Sequence, residues 1–293
     1  MGDYLADLRS GYQSVKQTCR MGWASTATAG AIQALARLSL TFLQENCSPV
    51  ELNSRVPGKS YRAYRRRDAP LVVSRPANRD YFLCDAVRID RMWNDWNRRR
   101  LSTDALSRFL YTVALAPCLS LELFDRQNKK GPATYFECFV GHLVAGTTGT
   151  EPRRRAVLPI RDRSVRLTMD FIFDLDEQAS LHLAVKMSTR ERVVQAWAHQ
   201  RLLDSAFGVG RYRGIMVLFG ETKLDSRSHE VVEICVPDQW LAYQALLAQM
   251  KCIYYFDPPE RYLQLASQFP SLVQLRPFAD FFTETERAEV LGR

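Results

Sequence analysis

Histidine is scarce in this sequence and cysteine is unpatterned, and each shortage excludes chemistry. Four histidines are spread over 293 residues with no H-E-x-x-H pair, and seven cysteines, at 19, 47, 84, 118, 138, 235 and 252, are odd in number and form no C-x-x-C. A zinc site or disulfide framework is therefore not expected, and reduced thiols are. Any metal should be a hard cation held by carboxylates, a description that Mg2+ fits. There is no P-loop, nucleophile elbow or Cys-His pair, and the glycines of GVGRYRG at 208 to 214 have the wrong spacing for a dinucleotide loop. Repeats and low-complexity tracts are missing. Apolar runs such as VALAPCLSLELF are short and interrupted, and MGDYLADLRS has no basic segment ahead of an apolar one. No membrane partner is expected, and the cytoplasm is the expected location.

What the chain does have is arginine and enough apolar residues for a sizeable core. It is 46% hydrophobic with a net charge of +8, and arginine outnumbers lysine. Arginine is the forked donor that suits phosphates and guanine edges. A pronounced imbalance runs from Arg55 to Asp80, where eight basic residues face two acidic ones. Within it RAYRRR sets Arg62, Arg65, Arg66 and Arg67 around Tyr61 and Tyr64, which reads as a basic loop or arm. Such a run suits the backbone of a duplex and equally suits a solvated surface. Arg91, Arg98, Arg99 and Arg100 beside Trp93 and Trp96 repeat the pattern, with the tryptophans expected in the core.

Helical spacing covers residues 3 to 19 and 24 to 45, and Asp104 is placed to cap a helix through ALSRFLYTVAL. Pro132 opens a further helix in which Glu137 sits among apolar neighbours, at its solvent edge or in a site. From Arg153 the pattern becomes extended: AVLPI, VRLTMDFIFDL and LHLAVK read as three consecutive strands. A helix from Val193 to about Gly208 follows, then strands at 214–219, 231–235 and 252–256, with a helix from Asp238 to Met250 before the last. The expected division is a mainly helical extension with a basic loop over 1–129 and an α/β core over 130–293.

The stretch from 167 to 192 carries the chemistry. A hairpin turning near Gln178 sets Asp170 opposite Lys186, Ile172 opposite Ala184 and Asp174 opposite His182, with Asp170 and Lys186 on one face. A carboxylate and an amine so placed can hold a hard cation and orient a water, with the backbone carbonyl of Val185 as a further ligand. They can also be an ordinary cross-strand ion pair. Asp174 and Asp176 read as solvated turn residues.

A helical Glu, a strand Asp and a strand Lys, followed at once by a polar turn, Arg-Glu-Arg and a helix, resemble the type II restriction endonucleases of the PD-(D/E)XK nuclease fold. The resemblance covers roughly residues 130 to 220 and is to the branch that reads CCGG or CCNGG sites. It implies a mixed central sheet flanked by helices, with a helical N-terminal extension. It implies Asp170, Lys186 and Glu137 as the catalytic set, with Asp170 and Glu137 on the metal. It implies Arg190, Glu191 and Arg192 as base readers, and the chemistry agrees, since Arg donates twice to guanine and Glu accepts from cytosine N4. Arg62, Arg65, Arg66, Arg67 and Ser188 are the expected backbone contacts. Met169 stands where the fold name expects proline, and Ala184 stands at the second acid. In that branch the acid comes from the following helix, about four turns past the lysine, where this chain has His199 and Gln200 as candidate ligands. The expectation is a Mg2+-dependent enzyme that cuts double-stranded DNA at a palindromic CC/GG site as a homodimer. A structure-selective or repair nuclease of the same fold, and a non-catalytic basic DNA-binding protein, are the alternatives.

Overall fold

The computed structural model describes residues 4–125, 127–128, 130–188 and 193–292. The chain divides into two units, residues 1–142 with 222–234, and residues 143–221 with 235–293.

In the first unit, helices α1 (Tyr4–Met21) and α2 (Thr26–Asn46) bury Leu8, Val15 and Cys19, and Ile32, Leu35, Leu40 and Leu43, at the spacing the sequence shows. Ser25 begins α2 by accepting from the Thr28 N–H at 3.2 Å. Strands β1 (Cys47–Leu52), β2 (Tyr61–Arg66) and β3 (Ala77–Asn78) then form an antiparallel sheet with β2 in the middle. The RAYRRR stretch is thus a central strand and not a loop. Tyr61, Ala63 and Tyr64 supply its buried positions, which the arginines between them hide in the sequence.

Helices α3 (Ala86–Asn97) and α4 (Thr103–Phe124) follow, with Asp85 and Ser102 as their caps. Ser102, and not Asp104, caps α4. Trp93 is buried against Phe109, with ring centroids 5.4 Å apart. Contrary to the sequence reading, α4 is long and apolar enough to cross a bilayer. However, 83% of that apolar window is buried inside the protein, where α4 packs against α1, α2, α3 and β2. Its apolar surface is used by a core.

The division between the units falls within α5 (Lys130–Thr148) and not ahead of it. The reason is local: the Cys138 carbonyl lies 4.0 Å from Cys19 Sγ, and His142 Nδ1 lies 2.6 Å from the Trp23 carbonyl.

The second unit holds a six-stranded mixed sheet built from β4 (Arg153–Ile160), β5 (Arg163–Asp174), β6 (Ser180–Lys186), β7 (Tyr212–Leu218), β10 (Cys252–Tyr255) and β11 (Leu275–Pro277). Helix α6 (Val193–Phe207) connects β6 to its parallel neighbour β7. A short hairpin, β8 (Thr222–Leu224) and β9 (Val231–Glu233), returns to the first unit, where Val231 packs with Val56 and Tyr61. The expected strand at 231–235 is therefore not part of the main sheet. Helix α7 (Pro237–Ala242) precedes β10, α8 (Glu260–Gln268) separates β10 from β11, and α9 (Glu284–Leu291) comes last. The strand order is β11-β10-β7-β6-β5-β4, with β4, β5 and β6 antiparallel and the rest parallel. Strands β6, β7 and β10 are buried on both faces, which is why they read as continuous apolar runs.

The expected helix from Asp238 to Met250 gives way after Ala242 to a π-helical turn, Tyr243–Leu247. There the buried Gln244 accepts from Trp197 Nε1 at 2.6 Å and from the Met250 N–H at 2.8 Å. Trp240 stacks on Tyr262 at 4.1 Å, and with Trp197 and Tyr255 these rings fix α6, α7 and α8 against one face of the sheet.

Candidate active site

Strands β5 and β6 meet in a hairpin whose register differs from the expected one. Ile172 faces His182 and Asp174 faces Ser180, so the turn centres one residue before Gln178. The cause is Asp176, whose Oδ1 accepts from the N–H groups of Gln178 and Ala179, each at 2.7 Å, and so closes a tight turn. Its carboxyl is held below the ordinary range by those two backbone donors. Because the pairing moves by two residues, the faces are preserved and Asp170 still shares a face with Lys186. Lys186 is its diagonal neighbour and not its direct partner.

Asp170 lies in a β-bulge. Arg155 pairs with Thr168 and Arg153 with Ile172, so three residues of β5, Met169 to Phe171, oppose Arg154 alone. A bulge bends the strand and re-aims its side chains. Here it turns the Asp170 carboxylate toward β6, where Oδ2 accepts from the Val185 N–H at 2.9 Å and from Lys186 Nζ at 2.6 Å. The carbonyl of Asp170, taken out of the ladder, accepts from Arg154 Nε at 3.0 Å. The two charged side chains are 20% and 24% exposed, so the pair is neither solvated nor sealed.

The pair opens onto a cavity of 240 Å³ between sheet and helix. Arg154, Thr168, Met169, His182 and Ala184 line it from the strands, and Gln195, Ala196 and His199 from α6. Among the described residues of this lining, Asp170 is the sole carboxylate. Its Oδ1 accepts no hydrogen bond from the described residues, and Val185, whose N–H points at Asp170, presents its carbonyl on the same edge of β6. These oxygens fit one hard cation that keeps most of its water, the usual state of Mg2+. Among the described residues no group of three His, Cys, Asp or Glu side chains forms a ready-made metal cage.

Beneath the cavity is a polar relay. Gln200 donates through Nε2 to Asp204 Oδ1 at 2.9 Å and to the Tyr212 carbonyl at 2.7 Å, both pure acceptors. Its Oε1 must therefore accept from His182 Nδ1, 3.0 Å away, which assigns the imidazole tautomer. His182 is 1% exposed, and its Nε2 is buried without a hydrogen-bond partner among the described residues. Burial pushes its pKa down to about 4, and the hydrogen bond to Gln200 only partly opposes this. His199, whose ring lies 6.2 Å from that of His182, is also lowered by burial.

Gln200 fits in this position because residue 214 is a glycine. A β-carbon there would overlap Gln200 Oε1 and lie 2.8 Å from its Cδ. Gly214→Ala is therefore expected to lower the unfolding free energy by about 1–3 kcal/mol. Urea unfolding reads this directly, and an unchanged midpoint would mean that Gln200 moves aside at no cost.

The structure brings together Asp170, Lys186, Val185 and His199 as expected. Gln200 does not line the cavity; its amide is consumed in holding His182. Glu137 belongs to the first unit, where it contributes to raising the Tyr12 hydroxyl. Ser188 is half-buried in the loop after β6, outside the cavity lining. Arg190, Glu191 and Arg192 lie outside the described residues. Of the expected backbone contacts, Arg66 is paired with Asp68 at 2.9 and 2.6 Å and stacks over Phe124, and Arg67 donates to the Glu45 carbonyl at 2.7 Å. Arg62 Nε is buried without a partner among the described residues, and Arg65 is exposed. Asp174 is not a free turn residue: Arg153 grips it at 2.9 and 3.0 Å, which holds its carboxyl below the ordinary range.

His182 and Thr168 are legible in the sequence as i±2 and i±4 neighbours of the Asp and Lys on their strands. Arg154 carries no such signal, because its position depends on the bulge.

The mixed central sheet flanked by helices, in a chain with a helical N-terminal region, matches a restriction endonuclease fold. The chain is similar to the solved structure of the type IIP restriction endonuclease Kpn2I, with 22% identity over 96% of this chain and 97% of that one, and a TM-score of 0.80. A second solved structure, a complex of the restriction endonuclease PspGI with substrate DNA, matches at 14% identity over 70% of this chain and 92% of that one, with a TM-score of 0.46. No protein-family model matches the chain, and no curated protein does.

Proposed function

We propose that the protein is a Mg2+-dependent, site-specific endodeoxyribonuclease that cuts double-stranded DNA at a palindromic site containing CC/GG, as a homodimer with one Asp170–Lys186 site for each strand. The observation that carries this reading is the convergence of Lys186 Nζ and the Val185 N–H on one oxygen of Asp170, at the mouth of a cavity, in a restriction endonuclease fold. An ion pair that served only to join two strands would need neither the bulge nor the cavity.

Asp170 Oδ1 and the Val185 carbonyl would hold the cation, which when bound offsets the charge that develops on the phosphoryl oxygens. Lys186, fixed by Asp170, orients the attacking water and takes part in its deprotonation. His199 faces them from α6 and is the side chain that stands where a second acid would come from the helix. Arg190, Glu191 and Arg192, directly ahead of α6, are proposed to read the C:G pairs, and two-fold symmetric DNA favours a two-fold symmetric protein.

Incubation of the purified protein with plasmid DNA and Mg2+ tests this. Discrete bands are the expected result. Smearing or cutting only at unusual structures would point to a repair-type nuclease, and intact DNA to a binding protein without catalysis. Glu191→Ala should weaken discrimination at one cytosine by about 1–3 kcal/mol, and an unchanged site preference would remove Glu191 from the readers.

A further inference from the structure

The β4–β5 hairpin extends past its neighbour β6 as a two-stranded ribbon. One of its faces, carrying Ala156, Leu158, Leu167 and Met169, packs with Leu203 and Ala206 of α6. The other is open. Arg155 and Arg166 lie on that open face as diagonal neighbours around Val157 and Thr168, and Thr168, directly opposite Arg155, lines the Asp170 cavity. The tip adds Arg161, held at φ 55°, and Arg163, both exposed.

From Arg153 to Arg166 the ribbon carries six arginines against one acid, Asp162. Arg153 is held by Asp174 and Arg154 by the Asp170 carbonyl. Arg155, Arg161, Arg163 and Arg166 have no carboxylate partner among the described residues, in contrast to Arg66 of the basic strand β2. Val157, Ile160 and Val165 are 51%, 49% and 43% exposed on the same ribbon. An unpaired basic ribbon with apolar residues between its arginines complements a polyanion whose grooves admit a two-stranded β-ribbon.

We infer that this ribbon is the arm that holds the DNA duplex against the Asp170 site, with Arg155 and Arg166 on phosphates beside the cavity and Arg161 and Arg163 on phosphates farther along. The inference rests on the reading of the protein as a DNA-cleaving enzyme. From Asp170 to Arg163 the strand covers roughly 23 Å at about 3.3 Å per residue. That matches about seven phosphates of one strand at 3.4 Å each, long enough to fix the direction of the duplex relative to the cavity.

The test is the salt dependence of binding to a labelled duplex of about 30 base pairs of arbitrary sequence, without divalent metal, so that backbone contacts alone are read. The double variant Arg155→Gln with Arg166→Gln should reduce the slope of log K against log salt by about 1.8, and Arg161→Gln with Arg163→Gln by a similar amount. The corresponding lysine variants should restore the slope. Circular dichroism and the unfolding midpoint should be unchanged, since all four side chains are exposed. A variant that binds with the slope of the parent while the parent cuts plasmid overturns the ribbon and leaves the enzyme reading standing. A parent that neither binds nor cuts DNA overturns both. Variants that bind DNA normally but lose a dimer seen in sedimentation would show that the ribbon contacts a second copy, and this too overturns the inference.

Discussion

Lys186→Ala is expected to slow plasmid cleavage by about 10²- to 10⁴-fold, the range for loss of a positioned proton-transfer group, while leaving duplex binding intact. The geometry separates two roles for the Asp170–Lys186 pair. As a strand-joining ion pair it is only one-fifth to one-quarter exposed, so deleting the lysine leaves a mostly buried carboxylate without its counter-charge and should lower the unfolding free energy by about 1–3 kcal/mol. Asp170 also keeps its hydrogen bond from the Val185 N–H when the lysine is gone. A structural pair would therefore show that loss of stability with unchanged cutting, whereas a catalytic pair loses cutting far beyond what the stability change accounts for. Asp170→Asn completes the comparison. The amide still accepts from Val185 but offers a cation a neutral oxygen, so cleavage should fall at least as far as for Lys186→Ala. If Lys186→Ala cuts plasmid at the parent rate, the Asp170–Lys186 pair is not the active site.

The unfolding free energy of the parent should drop more steeply between pH 7 and pH 4 than that of His182→Gln, by roughly 3 kcal/mol over the interval. In the folded protein the pKa of His182 is about 4, against about 6.5 in an unfolded chain. Above pH 6.5 the imidazole is neutral in both states and its titration contributes nothing to the pH slope. As pH falls through 6.5 the unfolded chain takes up a proton that the folded one refuses, so the unfolded state gains until the folded pKa is reached. The shift of about 2.5 units, at 1.36 kcal/mol each, sets the size. The groups facing His182 are Gln200, His199, Asp170 and Lys186. The lysine and His199 oppose protonation and Asp170 favours it, but desolvation is the largest cause. Urea titrations of both proteins across this range measure the difference. Parallel stability curves would mean that the pKa of His182 is not lowered in the folded protein.

Much of this site is legible in the amino-acid sequence. The alternation of VRLTMDFIFDL and LHLAVK places Asp170 and Lys186 on one face, and that placement survives a register different from the expected one because a shift of two residues leaves every side chain on its original face. Other parts are hidden for identifiable reasons. Strand β2 is concealed by its arginines, of which Arg66 is held at the surface by Asp68 and Phe124. The hairpin β8–β9 looks like any short strand pair, and only its packing on Val56 and Tyr61 assigns it to the first unit. The π-helical turn after α7 exists because the Gln244 amide is needed by Trp197 and Met250, a demand from elsewhere in the fold.

The sequence by itself determined the parity of the strands and the chemical identity of the pair, since both depend only on residue type and a two-residue period. Tertiary structure alone decided that the pair faces a cavity. A bulge must free the Asp170 carbonyl for Arg154, a glycine at 214 must admit Gln200, and α6 must seat His199 across from Lys186. Each of these joins residues distant in the chain, and no local spacing encodes such a contact.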